Sequence, residues 1–205
     1  MSALSPSDFP AYAASISNKK QKPLGWGSRP ALLIVDVDQA YFSESSPASL
    51  LKSTSRTSAS LPATVSSLVS AARAGSCPVV WACTRFTNAQ LRDAGLWAQK
   101  VPAKVLGVFN EKQESGLVES LEGLSPVLDV VDGAKTVPDL VIYKKFVSAF
   151  FGTNLASQLT MLGVDTLVVS GARTGGEIRQ SVLDAQGMGF RSMVRSLSLD
   201  LAVQC

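Results

Sequence analysis

Short apolar segments alternate with helix-like segments along the chain, and this alternation most constrains how it can fold. The predicted strands cover 31–36, 78–84, 166–171 and 191–196, with another that starts at 140–143; the predicted helices cover 61–74, 116–124, 153–162 and 176–186. Strands that alternate with helices favour a parallel sheet with right-handed crossovers. We therefore predict an α/β fold, a three-layer α/β/α Rossmann-like sandwich with a mostly parallel sheet of five to six strands.

The remaining segments predict how the chain is organised around this sheet. Residues 1–28 are polar and rich in Ser, Pro and Lys, which predicts an N-terminal arm followed by one domain over 29–205. Residues 43–60 are dominated by serine and are typical of a loop, and 86–109 are irregular in pattern. A chain of 205 residues is long enough to bury a sizeable core in a single domain.

Composition excludes several classes of partner. The net charge of +3 comes from scattered lysines and arginines, which argues against nucleic acid. No apolar run approaches the ~20 residues that span a bilayer, and the N-terminus does not resemble a secretory signal. Three cysteines without a Cys-x-x-Cys spacing fit a reducing compartment. We expect a cytoplasmic protein without nucleic-acid or membrane partners.

The chain contains no histidine. This absence rules out a Ser-His-Asp triad, a Cys-His pair and a conventional His-ligated metal site. We expect no metal and no cofactor, so that acid–base chemistry near neutral pH falls to carboxylates, lysine, tyrosine or water.

Several polar residues follow predicted strands. Asp36, Lys144 and the turn from Arg173 to Glu177 all lie at carboxyl ends of strands. Ligands of open parallel sheets bind at that edge. The spacing alone therefore predicts a ligand site there.

Four segments carry a resemblance to a known family. They are ALLIVDVDQAYF, AGLWAQKVP, KKFVSAFFGTNLASQLTMLGVDTLVVSG and VVSGARTGGEIR, in that order. The chain resembles the isochorismatase-like cysteine hydrolase superfamily from about residue 30 to 200, and looks most like its N-carbamoylsarcosine amidohydrolase members. The resemblance implies a small-molecule substrate and a homo-oligomer, a dimer or tetramer. Such proteins usually continue past the position of Asp200 with another helix and often a final strand, so we expect either a shorter sheet edge that is covered by a partner or by the N-terminal arm, or a truncated form.

The chain departs from this family at Glu177, which stands where the nucleophilic cysteine is expected. A carboxylate cannot form the thioester of that mechanism. One interpretation is that Glu177 is a first-turn residue favoured by the helix dipole after catalysis was lost. The other is that it acts as an acid–base group beside a second carboxylate and a lysine. The sequence supports both equally.

The resemblance assigns roles to other residues. Asp36 matches the catalytic aspartate and Lys144 the lysine paired with it, with Lys145 as the competing candidate. Arg173 is a candidate to grip a substrate carboxylate or to neutralise Glu177, and the turn that includes Thr174 and Gly176 corresponds to the oxyanion hole. Phe42, Trp97 and Phe150 are candidates for an apolar wall of the pocket. Cys83 is a candidate for a displaced thiol nucleophile.

Two functions remain open at this point. The first is an enzyme that uses Asp36, Lys144 and Glu177 for acid–base chemistry on a small carboxylated or carbonyl-bearing metabolite, by hydrolysis, elimination, cyclisation or isomerisation. The alternative is a non-catalytic pseudo-hydrolase that binds a metabolite or scaffolds a partner.

Overall fold

The computed structural model describes residues 24–50, 57–112, 119–121, 123–129, 138–195 and 203–204. Most of the predicted N-terminal arm lies outside these ranges. Within them, no helix is long and apolar enough to cross a membrane.

One six-stranded sheet organises the chain. Its strands are β1 (Pro30–Val35), β2 (Val79–Thr84), β3 (Leu140–Lys144), β4 (Thr166–Gly171), β5 (Arg191–Val194) and β6 (Val203–Gln204). Their order in the sheet is β3-β2-β1-β4-β5-β6. The first five are parallel, and β6 pairs antiparallel with β5. The predicted parallel α/β fold is confirmed, and the edge beside β5 is extended by β6.

Helices flank both faces of the sheet. They are α1 (Gln39–Phe42), α2 (Thr57–Ala74), α3 (Trp97–Lys100), α4 (Ala103–Leu106), α5 (Leu155–Met161) and α6 (Arg179–Gly187). Short 3-10 turns cover Arg92–Ala94 and Gly107–Phe109, and a π-helical turn, Thr174–Ile178, leads into α6.

The alternation of side chains along β1 divides the core in two. Leu32 and Ile34 pack in one apolar cluster, whereas Leu33 and Val35 pack in another. Residues of α2 belong to the first cluster and residues of α5 and α6 to the second. Because successive strand residues point to opposite faces, a strand buried on both sides must be apolar throughout. The segment ALLIV meets this requirement.

Two predictions about helices were wrong in part: the helix over 116–124 and the start of α2. In the predicted helix 116–124, the described residues are not helical: Ser120 forms an isolated bridge with Asp38, and Glu119 accepts a hydrogen bond from the Gln39 amide at 3.0 Å. Residues 116–118 and 122 lie outside the described ranges. Pairing with a distant segment has overridden local helical preference.

The serine-rich loop is shorter than predicted. Helix α2 begins at Thr57, four residues before the expected start at Leu61, and Pro62 lies inside it. The stretch from Thr57 to Ser60 has no apolar periodicity, so sequence alone gave no signal of the helix there.

Candidate active site

A close contact between β1 and β4 shapes the edge of the sheet where the candidate residues lie. The Ala172 amide donates to the Val35 carbonyl at 2.9 Å. A Cβ atom on Gly171 would collide with that carbonyl, and the φ angle of Gly171 is 148°. Only glycine allows this approach. The turn that carries Arg173 and Glu177 is thereby held against the end of β1.

A buried ion pair lies beside this contact. Asp36 follows β1 with a φ angle of 54° and is fully buried. Its Oδ1 accepts hydrogen bonds from the amide and the hydroxyl of Thr84, both at 2.9 Å. Its Oδ2 lies 2.7 Å from Nζ of Lys144, whose side chain is only 1% exposed. Buried charges persist only when paired and hydrogen-bonded, and this pair is both.

Lys144 also contacts two uncharged protein acceptors. Its Nζ donates to Thr84 Oγ1 at 2.9 Å and to the Phe146 carbonyl at 3.3 Å. Two of the three N–H donors of the ammonium are thus used in hydrogen bonds. Lys145 instead pairs with Asp93 at 2.7 Å, and its side chain is 38% exposed. The alternation along β3 therefore places Lys144, and not its neighbour, beside Asp36.

Glu177 and Arg173 form a second pair. Glu177 lies in the π-helical turn and is 6% exposed. Burial raises the pKa of Glu177; the guanidinium of Arg173 opposes this rise, and the nearby Asp36 adds to it. Arg173 has a left-handed backbone with φ of 60°, and its Nε lies 3.1 Å from Oε2 of Glu177. Every peptide bond among the described residues is trans.

A cavity of about 100 Å³ opens between these pairs and the segment 97–109. Glu177, Lys144 and Arg173 border it. Its apolar wall comes mainly from Phe86, Trp97, Val101, Val105, Leu106, Phe109 and Phe146. The cavity thus combines carboxyl and cationic groups at one side with an apolar wall at the other.

Not every predicted site residue reaches this cavity. Of the three predicted aromatic residues, Trp97 borders it, while Phe42 is buried in the core cluster that includes α2. Phe150 lies in the opposite cluster, 6.1 Å from the ring of Phe190. Thr174 and Gly176 are in the turn but do not border the cavity. The aromatic type alone did not indicate to which face each side chain would turn.

Two buried polar residues at or near the site are not among the predicted site residues. Tyr41 borders the cavity and is 4% exposed. Asp38 is 1% exposed, and its Oδ2 lies 3.2 Å from Nη1 of Arg85. The signal was present in the segment that follows β1, where Asp38 stands two residues after Asp36 and Tyr41 five residues after it. In the described ranges, no group of three His, Cys, Asp or Glu side chains could hold a metal ion.

Comparisons with known proteins place this arrangement in a family. The model of the isochorismatase domain matches residues 30–196. This chain belongs to the isochorismatase family. It is 33% identical to a maleamate amidohydrolase from Pseudomonas putida over 172 residues, which cover 83% of this chain and 72% of that protein. It is also 31% identical to an N-carbamoylsarcosine amidase from an Arthrobacter species, over 88% of this chain and 63% of that protein.

Solved structures agree on the fold. A cysteine hydrolase from Pseudomonas syringae superimposes with a TM-score of 0.71 at 20% identity, covering 85% of this chain and 75% of that one. The N-carbamoylsarcosine amidase from Thermoplasma acidophilum gives 0.62 at 18% identity, covering 86% of each chain. This isochorismatase-family chain therefore shares the α/β architecture of cysteine hydrolases.

Cys83 is poorly suited to serve as a displaced nucleophile in this family member. It lies on β2, packed against the core, and burial raises the pKa of its thiol to about 12; of the nearby charges, Arg85 opposes this rise and Asp38 adds to it. The thiolate is the reactive form of cysteine, so the Cys83 thiol is unreactive near neutral pH.

Asp38 is expected to make stability depend on pH. Burial, reinforced by Asp36, raises its pKa from 3.8 to about 7, while Arg85 and Lys144 oppose this rise. Below about pH 3.8, the pKa in the unfolded chain, the Asp38 carboxyl is protonated in both the folded and the unfolded state, so its burial does not lower the free energy of unfolding through ionisation. As the pH rises towards 7, the unfolded chain ionises while the folded state resists, so stability is lost.

Asp38→Asn should remove this dependence. Relative to the wild type, we expect the free energy of unfolding of the variant to gain on the order of 2–4 kcal/mol as the pH rises from 4 to 8. Urea denaturation at several pH values measures this gain. A constant difference between the two proteins across that range would show that Asp38 is ionised in the fold at low pH.

Proposed function

We propose that this protein is a cysteine-independent acid–base enzyme that acts on a small carboxylated or carbonyl-bearing metabolite. One observation carries the proposal: Glu177 and Lys144 border the same cavity, and Oδ2 of Asp36 lies 2.7 Å from Nζ of Lys144. The site therefore contains two carboxyl groups and an ammonium close to a space that a small molecule can enter. Groups with perturbed pKa values in a cleft are candidates for catalysis.

The surroundings of Glu177, Lys144 and Asp36 favour a different role for each residue. Burial raises the pKa of Glu177 and favours its protonated form, which suits a proton donor at the cavity wall. Lys144 borders the cavity while its Nζ donates to Thr84 and Phe146, so it would stabilise negative charge on a substrate mainly through its positive charge. Asp36 does not border the cavity; its carboxylate would hold the Lys144 ammonium in position.

The lining of the cavity supports the substrate class. Arg173 and Lys144 supply positive charge, which favours a carboxylate or a polarised carbonyl. The aromatic and aliphatic wall would cover an apolar part of the ligand. Two relatives are named for maleamate and N-carbamoylsarcosine, which are both small carboxylates. Hydrolysis, elimination, cyclisation and isomerisation of such compounds all require a proton to be moved.

Turnover of a compound library tests the proposal. The purified protein is incubated with small carboxylic acids, amides and carbonyl compounds, and mass spectrometry follows their conversion. We expect at least one compound to be converted by the wild type and not by Glu177→Gln. If instead a compound binds at the cavity and none is converted, the protein is a binding protein.

That alternative has one specific observation in its favour. The Arg173–Glu177 pair, at 3.1 Å, partly neutralises the position where the family nucleophile is expected. The pair does not close the cavity, which both residues border. A non-catalytic protein that binds a metabolite therefore remains the second candidate.

Restoring a thiol should not restore amide hydrolysis. We expect Glu177→Cys to leave the hydrolysis of N-carbamoylsarcosine, maleamate and nicotinamide at the level of a Glu177→Ala control. The reason is that Arg173 and the shape of the cavity would remain, and a thiol without a positioned substrate gains little. An ammonia-release assay measures this. Robust hydrolysis by Glu177→Cys alone would show a site that is intact except for its nucleophile.

A further inference from the structure

Tyr41 is a buried polar group at the cavity that the proposed mechanism does not use. It lies in α1, is 4% exposed, and borders the cavity together with Glu177 and Arg173. Its ring packs against Phe109 with centroids 4.9 Å apart. This packing fixes the ring and with it the position of the hydroxyl.

Tyr41 shares the cavity with the charged groups of the site. It borders the cavity together with Glu177 and Arg173. Burial raises the pKa of Tyr41 well above its usual value, and Asp36, Glu177 and Asp38 reinforce this effect, while Arg173 opposes it. A phenol in these surroundings keeps its proton across the physiological pH range, and so remains a hydrogen-bond donor.

Tyr41 adds an uncharged donor beside two cations. Nζ of Lys144 donates to Thr84 Oγ1 and to the Phe146 carbonyl, and lies 2.7 Å from Oδ2 of Asp36. Nε of Arg173 lies 3.1 Å from Oε2 of Glu177, and the Arg173 side chain is 45% exposed. Tyr41 is buried and borders the same cavity, so its hydroxyl can offer a ligand oxygen a hydrogen bond that is independent of these ion pairs.

We propose that Tyr41 donates a hydrogen bond to a carboxylate or carbonyl oxygen of the ligand, and so selects ligands that present such an oxygen to the Glu177 end of the cavity. The inference rests on the proposed function for the location of the site, but not on the chemistry assigned to Glu177. Buried tyrosine hydroxyls usually find a partner, and a site built around such a donor rejects ligands that lack the matching acceptor.

Benzoate is a suitable probe because it combines a carboxylate with a flat apolar ring. Isothermal titration calorimetry compares its affinity for the wild type, Tyr41→Phe and Tyr143→Phe. Tyr41→Phe keeps the ring that packs on Phe109 and removes only the hydroxyl. Tyr143 does not border the cavity and is 65% exposed, so Tyr143→Phe is the matched control.

We expect Tyr41→Phe to bind benzoate about 10-fold more weakly than the wild type, and Tyr143→Phe to bind it unchanged. Thermal melting of each variant establishes that the fold is kept. Equal affinities of the wild type and Tyr41→Phe, or no binding of benzoate to the wild type at millimolar concentration, would overturn the inference. Because the assay needs no turnover, a weaker Tyr41→Phe complex would stand even if Glu177→Gln proved that the acid–base proposal is wrong.

Discussion

Replacing Lys144 by methionine is expected to lower the free energy of unfolding by about 3–5 kcal/mol. The substitution keeps the apolar length of the side chain and removes the ammonium 2.7 Å from Asp36. Asp36 is fully buried, so its carboxylate would lose its counter-charge where water cannot replace it. Urea denaturation near neutral pH measures the loss.

Two further variants separate this explanation from a loss of packing. Lys145→Met removes a cation at the same distance, 2.7 Å, from Asp93, but from a side chain that is 38% exposed. We expect a cost below about 1 kcal/mol for that change. The double variant Asp36→Asn with Lys144→Met should recover much of the stability lost in Lys144→Met, because neither charge then remains alone. Equal losses in Lys144→Met and Lys145→Met would show that burial of the pair is not what matters.

That Asp36 and Lys144 share one edge of the sheet could be predicted from the strand pattern, whereas their pairing was implied by the family resemblance. The apolar runs identify parallel strands, and parallel strands bring their carboxyl ends to one edge. The register completes the argument: Lys144 lies beside Thr84 in the β2–β3 pair, and Thr84 binds Asp36. A pattern of strands thus predicts a constellation of side chains without any knowledge of their contacts.

The sides to which aromatic residues turn could not be predicted in the same way. Phe150 follows β3 in a turn segment and packs with Phe190 in the cluster that includes α5 and α6. Phe42 is the last residue of a four-residue helix and packs in the other cluster, whereas its neighbour Tyr41 borders the cavity. Turns and single helical turns lack the periodicity that tells one face from another. Their packing depends on tertiary contacts.

Glu177 shows a different limit of sequence reasoning. Its position after β4 predicts the turn, but a first-turn glutamate is favoured by the helix dipole whether or not it has a function. The structure adds that Glu177 is 6% exposed, that burial raises its pKa, and that it borders a cavity. A glutamate left in the nucleophile position after catalysis was lost would be buried beside the same cavity. The two interpretations of Glu177 therefore differ in turnover and not in structure.

The second large effect is expected in catalysis. Asp36→Asn should reduce turnover of a converted compound by about 10²–10⁴-fold, the range of acid–base catalysis, because the site loses the charge that positions Lys144. It should also lower the free energy of unfolding, because the buried ammonium of Lys144 loses its counter-charge. The amide preserves the size of the side chain, but removes the negative charge that holds Lys144 at 2.7 Å. Steady-state kinetics measures the loss, with circular dichroism as the check on folding.

Glu177→Gln supplies the matching test at the cavity wall. We expect it to slow turnover and to remove one limb of the pH–rate profile, because the glutamine cannot carry the titrating proton. The charge of Asp36 adds to the rise in the pKa of Glu177. In Asp36→Asn the limb that belongs to Glu177 should therefore move to lower pH, because that charge is gone. A structural role for either residue would change the rate without moving or removing a limb. Rates close to the wild type in both variants would contradict the acid–base mechanism and leave the metabolite-binding protein as the function that the site supports.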